Sequence, residues 1–271
     1  MTSAVFDHPW LSGLFNDPDM AALLSPERQM AHMLAFEAAW SRACGAAGLF
    51  DAEKAAEAAT AIARAEIDFA DIAAGMAQDG VPVPRLVKQL KAIAPPEAVH
   101  KGATSQDVVD TALVLSLREA SNLIDTRLAD LDAALAELEA RFGDSPLMGR
   151  TRMQAATEIT VRDRLLAWRL PLAGHRERLA ALRPQVERVQ IGGASGDRKA
   201  LGDEADAVVT AVARDLDLAP TEKAWHAMRE GIAGYASFLS LVTGTLGKIG
   251  GDVALMAQHG VVHGADLCGV V

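Results

Sequence analysis

The sequence predicts an all-α protein in which a small N-terminal helical domain precedes a bundle of long helices. Three observations support this fold class. The 271 residues are rich in alanine and leucine, and only 4% of them are aromatic. The period-two alternation of apolar and polar residues that is typical of strands is almost absent. Three long segments instead place their apolar residues at steps of three and four, the spacing of one helix face.

The composition of the chain disfavours several classes of function. Apolar residues make up 50% of the chain and charged residues 23%, the balance of a globular protein. The formal net charge of −10 disfavours nucleic acid as a partner, because binding to phosphates needs a surplus of basic residues. Residues 1–24 lack a secretory signal, and no uninterrupted apolar run approaches the roughly 20 residues of a membrane span. Cys44 and Cys268 lack metal-ligand spacing, so we expect a cytoplasmic protein without a metal or a membrane partner.

The N-terminal domain is predicted to span residues 1–97. Ser25 followed by Pro26 is typical of a capped helix start, and this helix is predicted to end near Gly48. Asp51 is expected to cap a second helix, which ends before Asp68. Prolines at positions 82, 84, 95 and 96 then punctuate the chain. They mark the boundary to a central domain predicted over residues 98–258.

Three long helices are predicted for the central domain. The first covers residues 106–140 and, at 1.5 Å per residue, would extend on the order of 50 Å. The second runs over residues 152–189, with Pro171 and Pro184 as kinks or breaks. The third follows a heptad seam formed by Ile232, Tyr235, Leu239, Val242, Leu246, Ile249, Val253 and Met256.

The third helix also carries four glycines, each of which costs about 1 kcal/mol relative to alanine in a helix interior. Close approach of neighbouring helices is the usual reason for small residues at such positions. A bundle whose helices are apolar on more than one face needs further surfaces for burial. We therefore expect a homo-oligomer. The glycines are Gly244, Gly247, Gly250 and Gly251.

The first polar segment precedes the first long helix. Thr104 and Asp107 have the spacing of a capping box, which explains them structurally. A capping box does not explain His100 and Lys101, two potential cations just ahead of the free amides of a helix N-terminus. Such a terminus binds anions, so the segment predicts an anion site.

Two further segments carry basic residues. Thr151 and Gln154 again have capping-box spacing, and the neighbouring Arg150 and Arg152 offer planar donors suited to carboxylates. A solvated basic helix start is an equally good interpretation of this segment. His226 and Arg229, in the segment that begins at Trp225, are three residues apart and are expected to share a helix face, although such a pair is more often a surface feature.

Several chemistries find no support in the sequence. The glycine cluster at residues 191–197 lacks a preceding strand and the Lys-Ser/Thr ending of a phosphate loop. We interpret it as a tight link between helices. No acyl-transfer triad and no zinc motif of the His-Glu-x-x-His type is present. We expect an enzyme that uses no cofactor.

Together these segments resemble the fumarase/aspartase superfamily. The run HKGATSQDVVDT from His100 resembles the first conserved region of that superfamily, and GRTRMQAA from Gly149 resembles the second. Members with adenylosuccinate or argininosuccinate lyase activity typically have His where this chain has Arg152. The runs HKGATSQD, GGASGD, AWHAMRE and SLVTGTLGKIGGDVALMAQ look more like the 3-carboxy-cis,cis-muconate cycloisomerase branch.

The resemblance implies a homotetramer with a central helical bundle and active sites shared between subunits. It implies a small polycarboxylate substrate whose carboxylate adds to a double bond to form a lactone, a step of aromatic-compound catabolism in the protocatechuate (β-ketoadipate) pathway. A fumarate-releasing lyase of the adenylosuccinate or argininosuccinate type is the alternative. The implied catalytic residues are His100, Ser105 and Thr151, and the implied substrate-binding residues are Lys101, Thr104, Arg150, Arg152, Gln154, His226 and Arg229.

The chain departs from the superfamily pattern after Gln258. A Gly-Ser-Ser loop followed by Met-Pro-x-Lys-x-Asn is expected there, and residues 259–271 match neither that loop nor the helices beyond it. In the superfamily the loop supplies a serine base and a substrate-binding lysine. We therefore predict an atypical C-terminal tail without the third domain, and a catalytically weak helical oligomer is a further alternative.

Overall fold

The computed structural model describes residues 4–152 and 154–258, and within them it is largely helical, as predicted. A two-stranded sheet is added to the helices. In chain order the elements are α1 (Ser12–Phe15), α2 (Pro18–Leu23), α3 (Pro26–Ala46), α4 (Ala52–Ile62), α5 (Phe69–Asp79), α6 (Val83–Ile93), a 3₁₀ turn (Pro96–Ala98), α7 (Ser105–Phe142), β1 (Pro146–Thr151), β2 (Gln154–Thr160), α8 (Val161–Val186), a second 3₁₀ segment (Lys199–Glu204), α9 (Ala205–Asp215) and α10 (Glu230–Met256).

Side-chain caps set the predicted starts of the first longer helices. The Ser25 hydroxyl accepts a hydrogen bond from the Arg28 amide at 3.1 Å, and Pro26 occupies the first helical position of α3. The Asp51 carboxylate accepts from the Lys54 amide at 3.0 Å at the start of α4. Each cap satisfies an amide that the helix itself leaves unpaired. Both predicted helix starts are confirmed.

The chain divides into two compact units, which we call unit 1 (Met1–Ser121 and Arg183–Arg229) and unit 2 (Asn122–Leu182 and Glu230–Val271). Helix α7 passes from unit 1 into unit 2 after Ser121, and α8 returns to unit 1 after Leu182. The division at residues 97 and 98 that the prolines indicate is not one of these boundaries, so it stays a prediction.

The core of unit 1 is centred on α3. This helix packs against α4 and α9, and its Phe36 and Trp40 are fully buried and stacked with ring centroids 6.0 Å apart. Ile62 of α4 and Leu86 of α6 are also fully buried. Burial of each such side chain stabilises the fold by about 1.5–3 kcal/mol. This core fixes the surface of α3 on which part of the site is built.

Unit 2 contains the remainder of the long helices. Trp168 of α8 donates from its indole nitrogen to Asp252 of α10 at 2.8 Å, and Tyr235 and Phe238 of α10 are buried. Other apolar residues of α10, including Leu241 and Leu246, remain exposed. By length and composition α10 could cross a membrane, with 17% of its most apolar window buried. Core helices of soluble proteins pass the same test, so this is weak evidence for a membrane.

The predicted helix start near Arg152 is wrong. Residues Pro146–Thr151 and Gln154–Thr160 pair as antiparallel strands. The helix begins at Val161, where the Thr160 amide donates to Asp163 Oδ2 at 2.8 Å and the Asp163 amide donates to Thr160 Oγ1 at 3.2 Å. This capping box forms in place of one at Thr151 and Gln154.

The strand sequence explains why a helix does not start earlier. Gly149 disfavours a helix, whereas Thr151, Thr157 and Ile159 are β-branched and favour strands. Pro171 and Pro184 lie within the continuous helix α8, so neither of them breaks it.

The predicted helix face shared by His226 and Arg229 is also wrong. Residues 225–229 form a turn that ends before α10, with the Met228 amide donating to the Trp225 carbonyl at 2.8 Å. Spacing of three residues therefore does not place these two side chains on one face. The reason is local: α10 begins only at Glu230.

Candidate active site

The site in unit 1 is organised around the buried carboxylate of Asp107, in the first turn of α7. Its oxygens accept hydrogen bonds from the amides of Thr104 (3.1 Å), Gly192 (2.8 Å) and Gly193 (3.0 Å), and from Gln190 Nε2 (3.2 Å). Burial raises the pKa of the Asp107 carboxyl, and the four hydrogen bonds oppose that rise. The carboxylate thus holds the glycine cluster of residues 191–197 against the N-terminus of α7.

Glycine is required at position 192 by this close approach. A Cβ atom there would lie 2.6 Å from the Cβ of Ala224 and 3.0 Å from the Cα of Gly196. The first distance is too short for two carbon atoms and the second is tight, so an added side chain would push the loop away from Ala224. The interpretation of this cluster as a tight link between helices is confirmed. The same residues also line the site beside Asp107.

Arg198 follows the glycine cluster of residues 191–197 and holds it in place through hydrogen bonds. This buried arginine donates to the carbonyls of Ile191 (2.9 Å), Glu222 (2.9 Å) and Thr221 (2.9 Å). Burial lowers the pKa of the guanidinium, although the charges of Asp206 and Asp107 work against this. Its donors satisfy carbonyls that would otherwise be buried without partners. The link is therefore joined to the segment that leads to Trp225.

Trp225 connects residues 225–229 to the segment just before the glycine cluster. Its amide donates to Gln190 Oε1 at 2.7 Å, and its indole nitrogen donates to the Val189 carbonyl at 3.1 Å. The next residue, His226, lies over Gly196, where an added Cβ would come within 2.4 Å of the imidazole Cε1. Gly196 also has a φ of 72°, which favours glycine. His226 consequently lies beside the glycine cluster.

Arg229 is held by an acidic residue of α7. Its Nη1 lies 2.7 Å from Oδ2 of Asp110, whose side chain is buried, and its guanidinium stacks 5.1 Å from the Trp225 ring centroid. The arginine side chain itself remains 41% exposed. Part of its positive charge is thus balanced by Asp110, while the exposed face of the guanidinium can still meet an anion.

His100 and Lys101 lie in the turn just ahead of α7. His100 has a φ of 58°, and its Nδ1 lies 2.6 Å from Oε1 of the buried Glu37 on α3. The Lys101 carbonyl accepts from the Trp40 indole nitrogen at 3.2 Å. Within residues 4–152 and 154–258, the Lys101 ammonium has no ion-pair partner. Its charge is therefore free to attract an anion.

Two hydroxyl groups at the tip of α7 are likewise unused by the described part of the chain. Neither the Thr104 nor the Ser105 hydroxyl makes a hydrogen bond to a described residue, and both residues are half-buried. Only the half of the predicted capping box that runs from the Thr104 amide to Asp107 is formed. Free hydroxyls, helix amides and nearby cations together are the groups that bind a carboxylate.

Four predicted site residues lie in unit 2. Arg150 and Thr151 end β1, Gln154 begins β2, and Arg152 connects the strands with a φ of 45°. All four are exposed, and no described residue forms an ion pair with either arginine. They belong to a hairpin, not to the helix N-terminus that the sequence predicted. Their role in binding stays a prediction.

Sequence reasoning missed two acidic residues of this site. Glu37 stands in the run LAFEAAW, where a single charge among apolar residues is a signal of a buried, paired carboxylate. Asp110 lies three residues after Asp107 and therefore near it on the helix surface. Among the described residues, no group of three or more His, Cys, Asp or Glu is arranged to hold a metal ion.

A family model described as a lyase matches residues 16–266. The chain is 39% identical over 264 residues to a 3-carboxy-cis,cis-muconate cycloisomerase of Pseudomonas putida, which covers 95% of this chain and 61% of that protein. A solved 3-carboxy-cis,cis-muconate lactonizing enzyme from Pseudomonas putida superposes with a TM-score of 0.88 at 40% identity, covering 93% of this chain and 59% of that one.

A solved fumarate lyase from Mesorhizobium sp. BNC1 superposes nearly as well. Its TM-score is 0.87 at 32% identity, and the match covers 90% of this chain and 58% of that one. The present chain therefore spans about three fifths of the length of these relatives.

Proposed function

The chain belongs to the lyase family, and on that premise we propose that the protein of which it is part is a 3-carboxy-cis,cis-muconate cycloisomerase. The observation that carries this proposal is the tip of α7, where the Thr104 and Ser105 hydroxyls and the Lys101 ammonium, three residues earlier, have no partner among the described residues. These groups suit a substrate with several carboxylates. The likeness to the two Pseudomonas putida proteins named above supports this choice of substrate.

In the proposed reaction, one carboxylate of a linear muconate forms a C–O bond to a carbon of a double bond. The π electrons of that bond move towards the adjacent carbon, which takes up a proton and forms a C–H bond. The reaction therefore consumes one proton and produces a lactone. It needs a general acid near the carbon that takes up the proton. It also needs hydrogen-bond donors for the carboxylate that gains negative charge during the reaction.

We assign these roles to residues of unit 1. The imidazolium of His100 is the acid, and it regains its proton from water. The Thr104 and Ser105 hydroxyls bind one carboxylate together with the free amides of α7. Lys101, His226 and Arg229 balance the remaining negative charge. Thr151, Arg150, Arg152 and Gln154 of the hairpin are proposed to complete the site.

The assembly is proposed to be a homotetramer, with residues of several subunits at each site. Support comes from α10, where an added Cβ at each of its four interior glycines Gly244, Gly247, Gly250 and Gly251 would meet nothing within 4 Å. Leu241, Leu246 and Leu255 on the same helix are exposed. Burial of that apolar surface against other copies would offset the helix cost of the glycines. A cytoplasmic location and a role in protocatechuate catabolism are further parts of this proposal.

A fumarate-releasing lyase is the second candidate, and the match to a fumarate lyase favours it. Both reactions need a carboxylate site and a proton-transfer group beside it, so the site alone fits either. The test is to assay lactone formation from 3-carboxy-cis,cis-muconate and fumarate release from adenylosuccinate and argininosuccinate side by side. Lactone formation alone supports the first proposal. Fumarate release without lactone formation overturns it.

A third outcome concerns the C-terminal tail. A chain that binds the muconate without converting it would be the catalytically weak oligomer that the sequence left open. Fusion of the part of the Pseudomonas putida relative that lies beyond the matched region should then restore lactone formation. If the fused protein also fails, the cycloisomerase proposal is wrong.

A further inference from the structure

A buried carboxylate on α3 has no role in the site as described so far. The Glu37 side chain is fully buried, its Oε1 lies 2.6 Å from Nδ1 of His100, and its Oε2 has no hydrogen-bond partner among the described residues. Removing a carboxylate from water costs several kcal/mol. The single contact with the imidazole offsets little of that cost, because Oε2 has no described partner. An apolar side chain of similar volume would often stabilise such a position as well or better, so stability does not explain Glu37.

The same face of α3 holds the backbone on both sides of His100. Trp40 and Ser41 lie three and four residues after Glu37 and thus share its face. Trp40 donates to the Lys101 carbonyl at 3.2 Å, and Ser41 donates to the Ala98 carbonyl at 2.7 Å. Three side chains of one helix turn therefore fix the segment that carries His100. The imidazole is placed by the rigid core of unit 1.

The backbone at His100 is itself in an unfavourable conformation. Its φ of 58° lies in the left-handed region, which is unfavourable for a residue with a Cβ. Such strain persists where the surrounding structure imposes it, and it is common at functional sites. In this backbone conformation the His100 side chain contacts Glu37.

On the premise that His100 is the acid of the proposed reaction, we propose that Glu37 is its positioning residue. The proposal requires an ionised Glu37, whose oxygens only accept hydrogen bonds, so that the Nδ1 atom of His100 carries the proton of the contact. Nε2, on the opposite side of the ring, is then the atom that gives a proton to the substrate and recovers one from water. The negative charge of Glu37 stabilises the imidazolium before the transfer. The imidazole side chain is 16% exposed, so it is not fully enclosed by unit 1.

A kinetic test uses Glu37→Gln, which keeps the volume and removes the charge. We expect kcat for lactone formation to fall about 10- to 100-fold, with KM changed less than about twofold. In a His100→Ala background the same substitution should have no further effect, because the two residues act as one unit. An equal loss in that background, or a change confined to KM, would overturn the inference.

Glu119→Gln is a matched control, because Glu119 is another carboxylate of unit 1 that faces a histidine. Its Oε2 lies 3.4 Å from Nε2 of the buried His32. Glu119 is outside the proposed site, so its substitution should leave kcat unchanged. A fall in kcat equal to that of Glu37→Gln would show that any lost carboxylate–histidine contact impairs the enzyme, and the inference would fail.

A second measurement does not depend on activity. Solid-state NMR of the ¹⁵N-histidine-labelled full chain, with His100→Ala used for assignment, reports which ring nitrogen carries the proton. We expect a protonated Nδ1 at His100 in the unmodified chain, and a shift towards Nε2–H in Glu37→Gln. A proton on Nε2 alone in the unmodified chain overturns the inference. If Nδ1 is protonated but no lactone forms, the pairing stands and the proposed reaction fails.

Discussion

The surroundings of Asp107 in unit 1 differ from helix α10 in unit 2. Around Asp107 the buried polar groups have hydrogen-bond partners, whereas along α10 several apolar side chains are exposed. Four donors of the same chain meet the Asp107 carboxylate. Along α10, Leu241 and Leu246 stay exposed and Gly247 has open space where a Cβ would stand. The described part of one chain satisfies the first region, whereas the second is an apolar surface that no described residue covers. This difference is what we expect if one chain preorganises part of the site and the proposed assembly of several copies supplies the rest.

The largest expected effect is on stability in unit 1. Asp107→Ala would leave the amides of Gly192 and Gly193 and two further donors without partners. Each unpaired buried donor costs about 1–3 kcal/mol, so the free energy of unfolding should fall by at least about 3 kcal/mol. Urea unfolding measures it. Asp215→Ala is the control, since its exposed pair with Arg42 is worth less than about 1 kcal/mol. Equal losses in the two variants would contradict the central place given to Asp107.

The next effect concerns His226. In Gly196→Ala the new Cβ would stand 2.4 Å from the imidazole Cε1, so the ring must move. We expect KM for the muconate to rise about tenfold, equivalent to about 1.4 kcal/mol of binding. Gly48→Ala is the control, because its φ of 73° matches the 72° of Gly196 and no atom lies within 4 Å of the added Cβ. An equal rise in KM for both variants would mean that His226 has no part in binding.

Arg150 extends the comparison to the hairpin. Arg150→Ala should raise KM about tenfold and leave the melting temperature nearly unchanged, because the side chain is exposed and forms no ion pair with a described residue. Arg176→Ala, which removes an exposed pair with Asp125, should leave KM unaltered. Steady-state kinetics and thermal unfolding together decide the outcome. An unchanged KM in Arg150→Ala would remove the hairpin from the site.

The smallest effect tests whether α10 is covered by other copies. Alanine at position 247 should stabilise an isolated helix by about 1 kcal/mol, and the added Cβ would meet no described residue within 4 Å. If copies pack there, the same Cβ weakens their association. We expect Gly247→Ala to shift the assembly towards smaller species in analytical ultracentrifugation. An intact assembly with a higher melting temperature would show that this face of α10 is not an interface.

The sequence was sufficient for the fold class because periodicity and caps are local signals. The caps at Ser25 and Asp51 and the span of α7 are confirmed. The hairpin was missed because Thr151 and Thr160 both precede a polar residue at capping distance, and only pairing between β1 and β2 decides between them. Glu37 was missed because 63 residues separate it from His100. Contacts of that range depend on the packing of α3, which local spacing does not encode.

The central claim is that the tip of α7 is built to bind a substrate carboxylate. It is tested most directly by kcat/KM for lactone formation in Ser105→Ala, measured with the melting temperature. The Ser105 hydroxyl makes no hydrogen bond within the described chain, and alanine is a better helix former than serine. We expect kcat/KM to fall about 100-fold, as is typical of one lost donor to a developing charge, with no loss of thermal stability. An unchanged kcat/KM would contradict it.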